Sequence, residues 1–66
     1  MKLHLDRAAD ALYLRLDDSK IIESEEVAPG VVLDFNAEKQ VVAIEILNLS
    51  KRSPSFDPST LRLETV

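Results

Sequence analysis

Residues Gly30 to Leu47 read GVVLDFNAEKQVVAIEIL, two runs rich in Val, Ile, Leu and Phe on either side of Asn36-Ala37-Glu38-Lys39. β-Branched and aromatic residues suit a pleated, half-buried surface, and the residues between the runs suit a chain reversal, so the stretch predicts a β-hairpin. Pairing Phe35 with Gln40 sets Leu33 opposite Val42 and Val31 opposite Ile44, all on one side, because successive strand residues alternate faces. The other side carries Val32, Asp34, Val41, Ala43, Glu45 and Leu47, a mixed set. The hairpin therefore has one dry face and one that is wet or covered by a partner. A one-residue slip would set Asp34 and Glu45 among the apolar side chains, which selects against it.

Upstream, Lys2 to Leu5 and Leu12 to Leu16 also alternate with period two and predict a second hairpin. Pairing Leu5 with Leu12 and Leu3 with Leu14 keeps the leucines on one face, with His4 opposite Tyr13 and Lys2 opposite Arg15 on the other. Asp6 to Ala11 is the connection, with a single helical turn and an Asp6 carboxylate able to accept backbone amides. Asp17-Asp18-Ser19-Lys20 is a turn by composition. Ile21 to Val27, with Glu23, Glu25 and Glu26 in its middle, reads as an edge strand, where charge discourages open-ended pairing. Ala28-Pro29-Gly30-Val31 fits a type II turn, whose twist suits a corner into the central hairpin better than a tight two-residue hairpin. Beyond Leu47, Asn48 to Arg52 is a short basic exit and Ser53-Pro54-Ser55 a linker. Asp57-Pro58 is a helix-start signal with few residues after it, so residues 58–66 form either a docked turn or a Leu61 to Val66 strand.

The whole is expected to be one domain, residues 1–66, mainly β: a small antiparallel sheet of about five strands in two hairpins, which could stack as similar units, with a short C-terminal helical turn. Residues 53–66 form a tail that can dock on a partner subunit. Apolar burial at ~25 cal/mol per Å² and chain ordering at ~1.5 kcal/mol per residue are both about 100 kcal/mol for this length, so the monomer balance is near zero. Cysteine is absent, which removes disulfides and thiolate metal sites, so self-association as a homodimer is the expected remedy. No apolar run reaches the ~18 residues of a membrane span and no signal-peptide pattern opens the chain, so a cytoplasmic location is expected.

The net charge of -4 is uneven. Residues 1–20 balance, residues 21–38 hold five acids and no base, and the rest sums to +1. Phosphate backbones need clustered Lys and Arg, so nucleic acid is not an expected partner, and no membrane partner is expected either; a basic protein or a cation suits the middle better.

Three segments together carry a family resemblance: Asp6 and Asp10 to Leu16 (D-x-x-x-D-A-L-Y-L-R-L), Glu26 to Phe35 (E-V-A-P-G-V-V-L-D-F) and Val41 to Leu47 (V-V-A-I-E-I-L). In that order and spacing they resemble the small bacterial YuzE-like proteins, a domain-of-unknown-function family, over about residues 1–52. The resemblance implies a small antiparallel β fold with no assigned activity, cofactor or catalytic set, and a neutralising role toward a small toxin-like partner. Ala43 departs from the family pattern where Gly is expected, and Lys39 where a turn Gly often sits.

Candidate chemistry is sparse. The single Gly excludes a glycine-rich phosphate loop and the single His excludes a two-histidine metal helix. His4, Tyr13 and Asp6 read either as an acid-base group or as a cross-strand surface pair. Asp34 and Glu45, with Glu25 or Glu26 alongside, read either as a hard-cation site or as a solvated acidic face. Asp6 and Asp10 add nothing to that site while their loop is mobile. Val32, Val41, Ala43 and Leu47 form an apolar strip covered either by the C-terminal tail or by a second copy or partner, and are the candidate interface in the second case. The leading expectation is a non-enzymatic interaction module without cofactor that neutralises a small basic partner. The alternative is a divalent-cation-binding protein or cation-dependent hydrolase using the clustered carboxylates.

Overall fold

The computed structural model describes residues 1–52, 55, 57, 60–62, 64 and 65. Five strands follow one another along the chain: β1 (Lys2–Asp6), β2 (Ala11–Arg15), β3 (Glu23–Ala28), β4 (Val31–Phe35) and β5 (Val41–Ile46). A short helix, α1 (Leu49–Arg52), comes after them. The strands form a single antiparallel sheet in the order β1-β2-β5-β4-β3. The two expected hairpins do not stack. They join edge to edge through β2 and β5, with Leu14 opposite Ile44 and Arg15 opposite Ala43.

The N-terminal hairpin has the register that its leucines dictate, Leu3 with Leu14, His4 with Tyr13 and Leu5 with Leu12. Its connection is not mobile. Asp6 Oδ1 accepts the Ala9 amide at 3.0 Å, and the Asp10 carboxylate takes the amide and hydroxyl of Ser50 in α1. Arg52 folds back from the same helix, donating to the carbonyls of Leu47 and Pro29. Thus the basic exit is a helical clasp that ties the loops at one end of the sheet to the end of β5.

The central hairpin differs from expectation by two residues: Leu33 faces Ile44 and Val31 faces Ile46, while Phe35 faces Val41 across a bulge. The turn is the cause. Asn36 Oδ1 accepts the amides of Glu38 and Gln40, each at 3.0 Å, and the Asn36 amide donates to the Gln40 carbonyl at 3.0 Å. This closes the hairpin at Asn36 and Gln40 and puts Lys39, rather than glycine, in the left-handed region at φ 62°. A two-residue shift preserves parity, so the residues from Val31 to Asp34 and from Ala43 to Ile46 keep their expected faces, while the bulge sets Val41 opposite Phe35.

Gly30 has φ 73°, as a Pro-Gly turn requires, but the turn closes a tight hairpin instead of a corner, with Ala28 opposite Val31. A bulge between Glu26 and Ala28 supplies the extra local twist that makes this turn compatible with pairing. β3 is an edge strand, as its charge suggests, and all six of its residues are exposed. Residues 16–22 cross the end of the sheet from β2 to β3. Leu16 and Asp17 donate to the Val42 carbonyl, and Ile22 donates to the Phe35 carbonyl. The helix-start and strand readings for residues 58–66 fall on Pro58, Leu63 and Val66, outside the described residues; nearby, the Thr60 amide and hydroxyl donate to the Asp57 carbonyl.

Among the described residues, burial concentrates on Asp34, Asn36, Val42 and Ala43. All four lie on the central strands or at the turn joining them. The apolar face is a different matter. Its rows run Leu3-Leu14-Ile44-Leu33-Glu25 and Leu5-Leu12-Ile46-Val31-Ala28 across the five strands, and none of these side chains is buried. Of the face expected to be dry only Val42 is buried, and the rest is half-open, because among the described residues no second layer packs against the sheet.

Candidate functional site

The polar face assembles two rows from the same registers. One is His4-Tyr13-Glu45-Val32-Glu26, the other Lys2-Arg15-Ala43-Asp34-Ser24. The β2–β5 pairing creates both rows by bringing Tyr13 against Glu45 and Arg15 against Ala43.

Asp34 is 2% exposed, and Ser24 Oγ donates to its Oδ1 at 2.5 Å. Glu45 lies on β5, diagonal to Asp34 on β4, and its interaction with the Asp34 carboxyl, partial burial and the Asp34 charge hold the Glu45 carboxyl above its usual value. The pair sets two neighbouring carboxyls into one face of the sheet. Arg15 lies in the same row but is committed elsewhere, to the Tyr13 hydroxyl at 3.2 Å and to the carbonyls of Asp17 and Ser19. The Tyr13 hydroxyl raises the Arg15 pKa further, while the Ser19 hydroxyl and amide keep Asp17 below the normal aspartate value.

A raised Glu45 pKa means that the folded protein binds this proton more tightly than the unfolded chain. Its contribution to stability is present at acid pH and declines as pH rises above the ordinary glutamate value of 4.5. Glu45→Gln keeps a neutral donor beside Asp34 and is expected to raise the melting temperature at neutral pH by a few degrees, for ~1 kcal/mol. The difference from the native protein should shrink as the pH is lowered from neutral toward the ordinary glutamate value of 4.5 when melting is followed by circular dichroism. An unchanged difference across that range would show that the two carboxyls do not interact.

Of the four acids expected to cluster, only Asp34 and Glu45 come together. Glu26 lies on their face but is separated by Val32, and Glu25 lies on the apolar face beside Leu33. Among the described residues no three His, Asp or Glu side chains gather as a metal-ligand group. His4 meets the Tyr13 ring at 6.1 Å between centroids, tilted by 51°, while Asp6 spends its Oδ1 on Ala9. The three residues do not form a hydrogen-bonded relay. In the expected interface set, Val41 is exposed, Val32 and Leu47 are half-buried, and Ala43 is fully buried.

Two features were not foreseen in the sequence. Ser24 as the partner of Asp34 follows only from the β3–β4 register. The other is a shallow cleft of about 200 Å³ beside the β3 edge, lined by Glu23, Glu25, Phe35 and Lys39. Alternation along β3 already places Glu23 and Glu25 on one face, but their meeting with Phe35 needed the pairing.

No helix among the described residues is long and apolar enough to cross a membrane. No match was found among the curated proteins or the solved structures with which the chain was compared. A family described as "Protein of unknown function (DUF2283)" does match, over residues 2–50. This span contains all five strands.

Proposed function

The chain belongs to the DUF2283 family of proteins of unknown function, and from that premise we propose that it acts by binding protein rather than by turning over a substrate. Its β3 edge receives an extended basic segment of a partner. The observation that carries this reading is the exposed edge strand itself, with Glu23, Glu25 and Glu26 along it and no Lys or Arg between residues 21 and 38. Backbone amides and carbonyls on the outer side of an edge strand are open to a further strand, and carboxylates beside them select a cationic one. The cleft beside β3 is lined by two carboxylates against one cation, Lys39, and so suits a Lys or Arg side chain with its stem along Phe35 and its charge toward Glu23 and Glu25. Neutralising a small basic protein is the role that such a surface serves.

The test is fluorescence anisotropy with a labelled peptide alternating Lys with Val or Ile, beside a control in which Glu replaces Lys. Saturable binding of the Lys peptide is expected, weakening as salt shortens the screening length from about 10 Å to 3 Å between 0.1 and 1 M. Glu23→Lys with Glu25→Lys should abolish it. Equal binding of both peptides, or binding untouched by the double substitution, would overturn the reading.

A further inference from the structure

We propose that the apolar face of the sheet seats a second copy of this chain, the two sheets packing face to face as a sandwich. This inference rests on the apolar face, whose β3 end carries Glu23 and Glu25, so a second copy seated there competes with a basic segment for the cleft beside β3. The face is built from Leu3, Leu5, Leu12, Leu14, Leu33, Ile44 and Ile46, a nearly uniform aliphatic set whose side chains are half-buried or exposed, with Val42 buried at one end of β5. Two such surfaces are complementary to each other without any special feature, because branched aliphatic side chains of two sheets interdigitate at a spacing of about 10 Å.

The area decides in favour of a copy. Five strands at ~4.8 Å and six residues at ~3.4 Å give a flat footprint of roughly 24 by 20 Å, or about 480 Å² for each chain. Two copies therefore cover about 960 Å² as flat footprint, close to the ~1,000 Å² that a specific interface needs, and interdigitating side chains add to it. A smaller occupant would leave part of the leucine rows in water.

Charge selects the arrangement. Glu25 ends the middle apolar row on the β3 side, with Glu23 beside it, whereas the β1 side of the same rows ends on Leu3 and Leu5. A two-fold axis across the strands would lay β3 on β3 and bring these glutamates together. An axis along the strands lays β3 over β1 of the other copy and keeps them apart, so this is the axis we infer. Ile44, at the centre of the middle row, then lies close to its own equivalent, and the outer edge of β3 stays open.

The native chain can be tested without altering it. Sedimentation equilibrium should give twice the 7.4 kDa chain mass. In a mixture of isotope-labelled and unlabelled chains, intermolecular methyl contacts should connect Ile44 with Ile44 and Leu33 with Leu14. Leu3→Glu alters a rim residue that is 48% exposed and so leaves the fold intact. It should weaken the dimer at least about tenfold, since the new carboxylate then faces Glu25 of the other copy, whereas Leu3→Lys, which offers Glu25 a counter-charge, should weaken it less. A monomeric mass would overturn the proposal, as would intermolecular contacts confined to Val32, Glu45 and their neighbours, or a dimer indifferent to Leu3→Glu.

Discussion

Replacing Ala43 by leucine is expected to destabilise the protein by about 3 kcal/mol, at the upper end of the range for forcing methylenes into a filled site. Ala43 is fully buried on the central strand, between Arg15 on β2 and Asp34 on β4. A larger side chain there must displace the Arg15 side chain, breaking its bonds to Tyr13, Asp17 and Ser19, or push Asp34 away from Ser24. A core of this size supplies only ~3–5 kcal/mol, so most of the margin is lost. Ala43→Gly removes volume instead, and its cost is the ~1 kcal/mol of a glycine within a strand. Urea denaturation should therefore rank native above Ala43→Gly, and both far above Ala43→Leu. Equal midpoints for the two variants would mean that room exists beside Ala43.

Asn36→Ala is expected to cost about 2 kcal/mol, because one side-chain oxygen satisfies two amides of the central turn and its loss leaves both without a protein acceptor. Asn36 is 5% exposed, and its side-chain nitrogen also donates to Gln40 Oε1 at 3.0 Å. Asn36→Asp retains the acceptor and loses only the donor, so it should cost well under half as much near neutral pH. The pair of variants separates the turn's hydrogen bonds from mere burial of a small polar residue. If both fall equally in thermal melts, burial is the larger part.

These two residues also mark the limit of what could be read along the chain. Asn36 is recognisable as a turn residue, yet nothing local shows that it closes the hairpin against Gln40 and leaves a bulge opposite Phe35. The expected register was consequently two residues away. Parity saved the faces, so Asp34 and Glu45 were still placed on one side. Their closeness was foreseen as a general consequence of that side; the burial of Asp34 and its bond to Ser24 were not. For the same reason the half-open state of the leucine face went unread. Alternation tells which residues share a face and is silent on whether another layer covers it.

What the sequence by itself determined is the set of local choices: the strands of both hairpins, the register of β1 with β2, the positive φ at Gly30, and the acidic edge. Each is carried by residues a few positions apart, through period-two alternation and turn chemistry, and needs no knowledge of distant pairing. That β2 joins β5, that Asp10 anchors α1, and that Ser24 meets a buried Asp34 follow from the folded arrangement alone. Those contacts lie between segments brought together by folding, and many strand orders are compatible with the same alternation. In the observed order residues 16–22 cross the sheet end and satisfy the carbonyls of Val42 and Phe35.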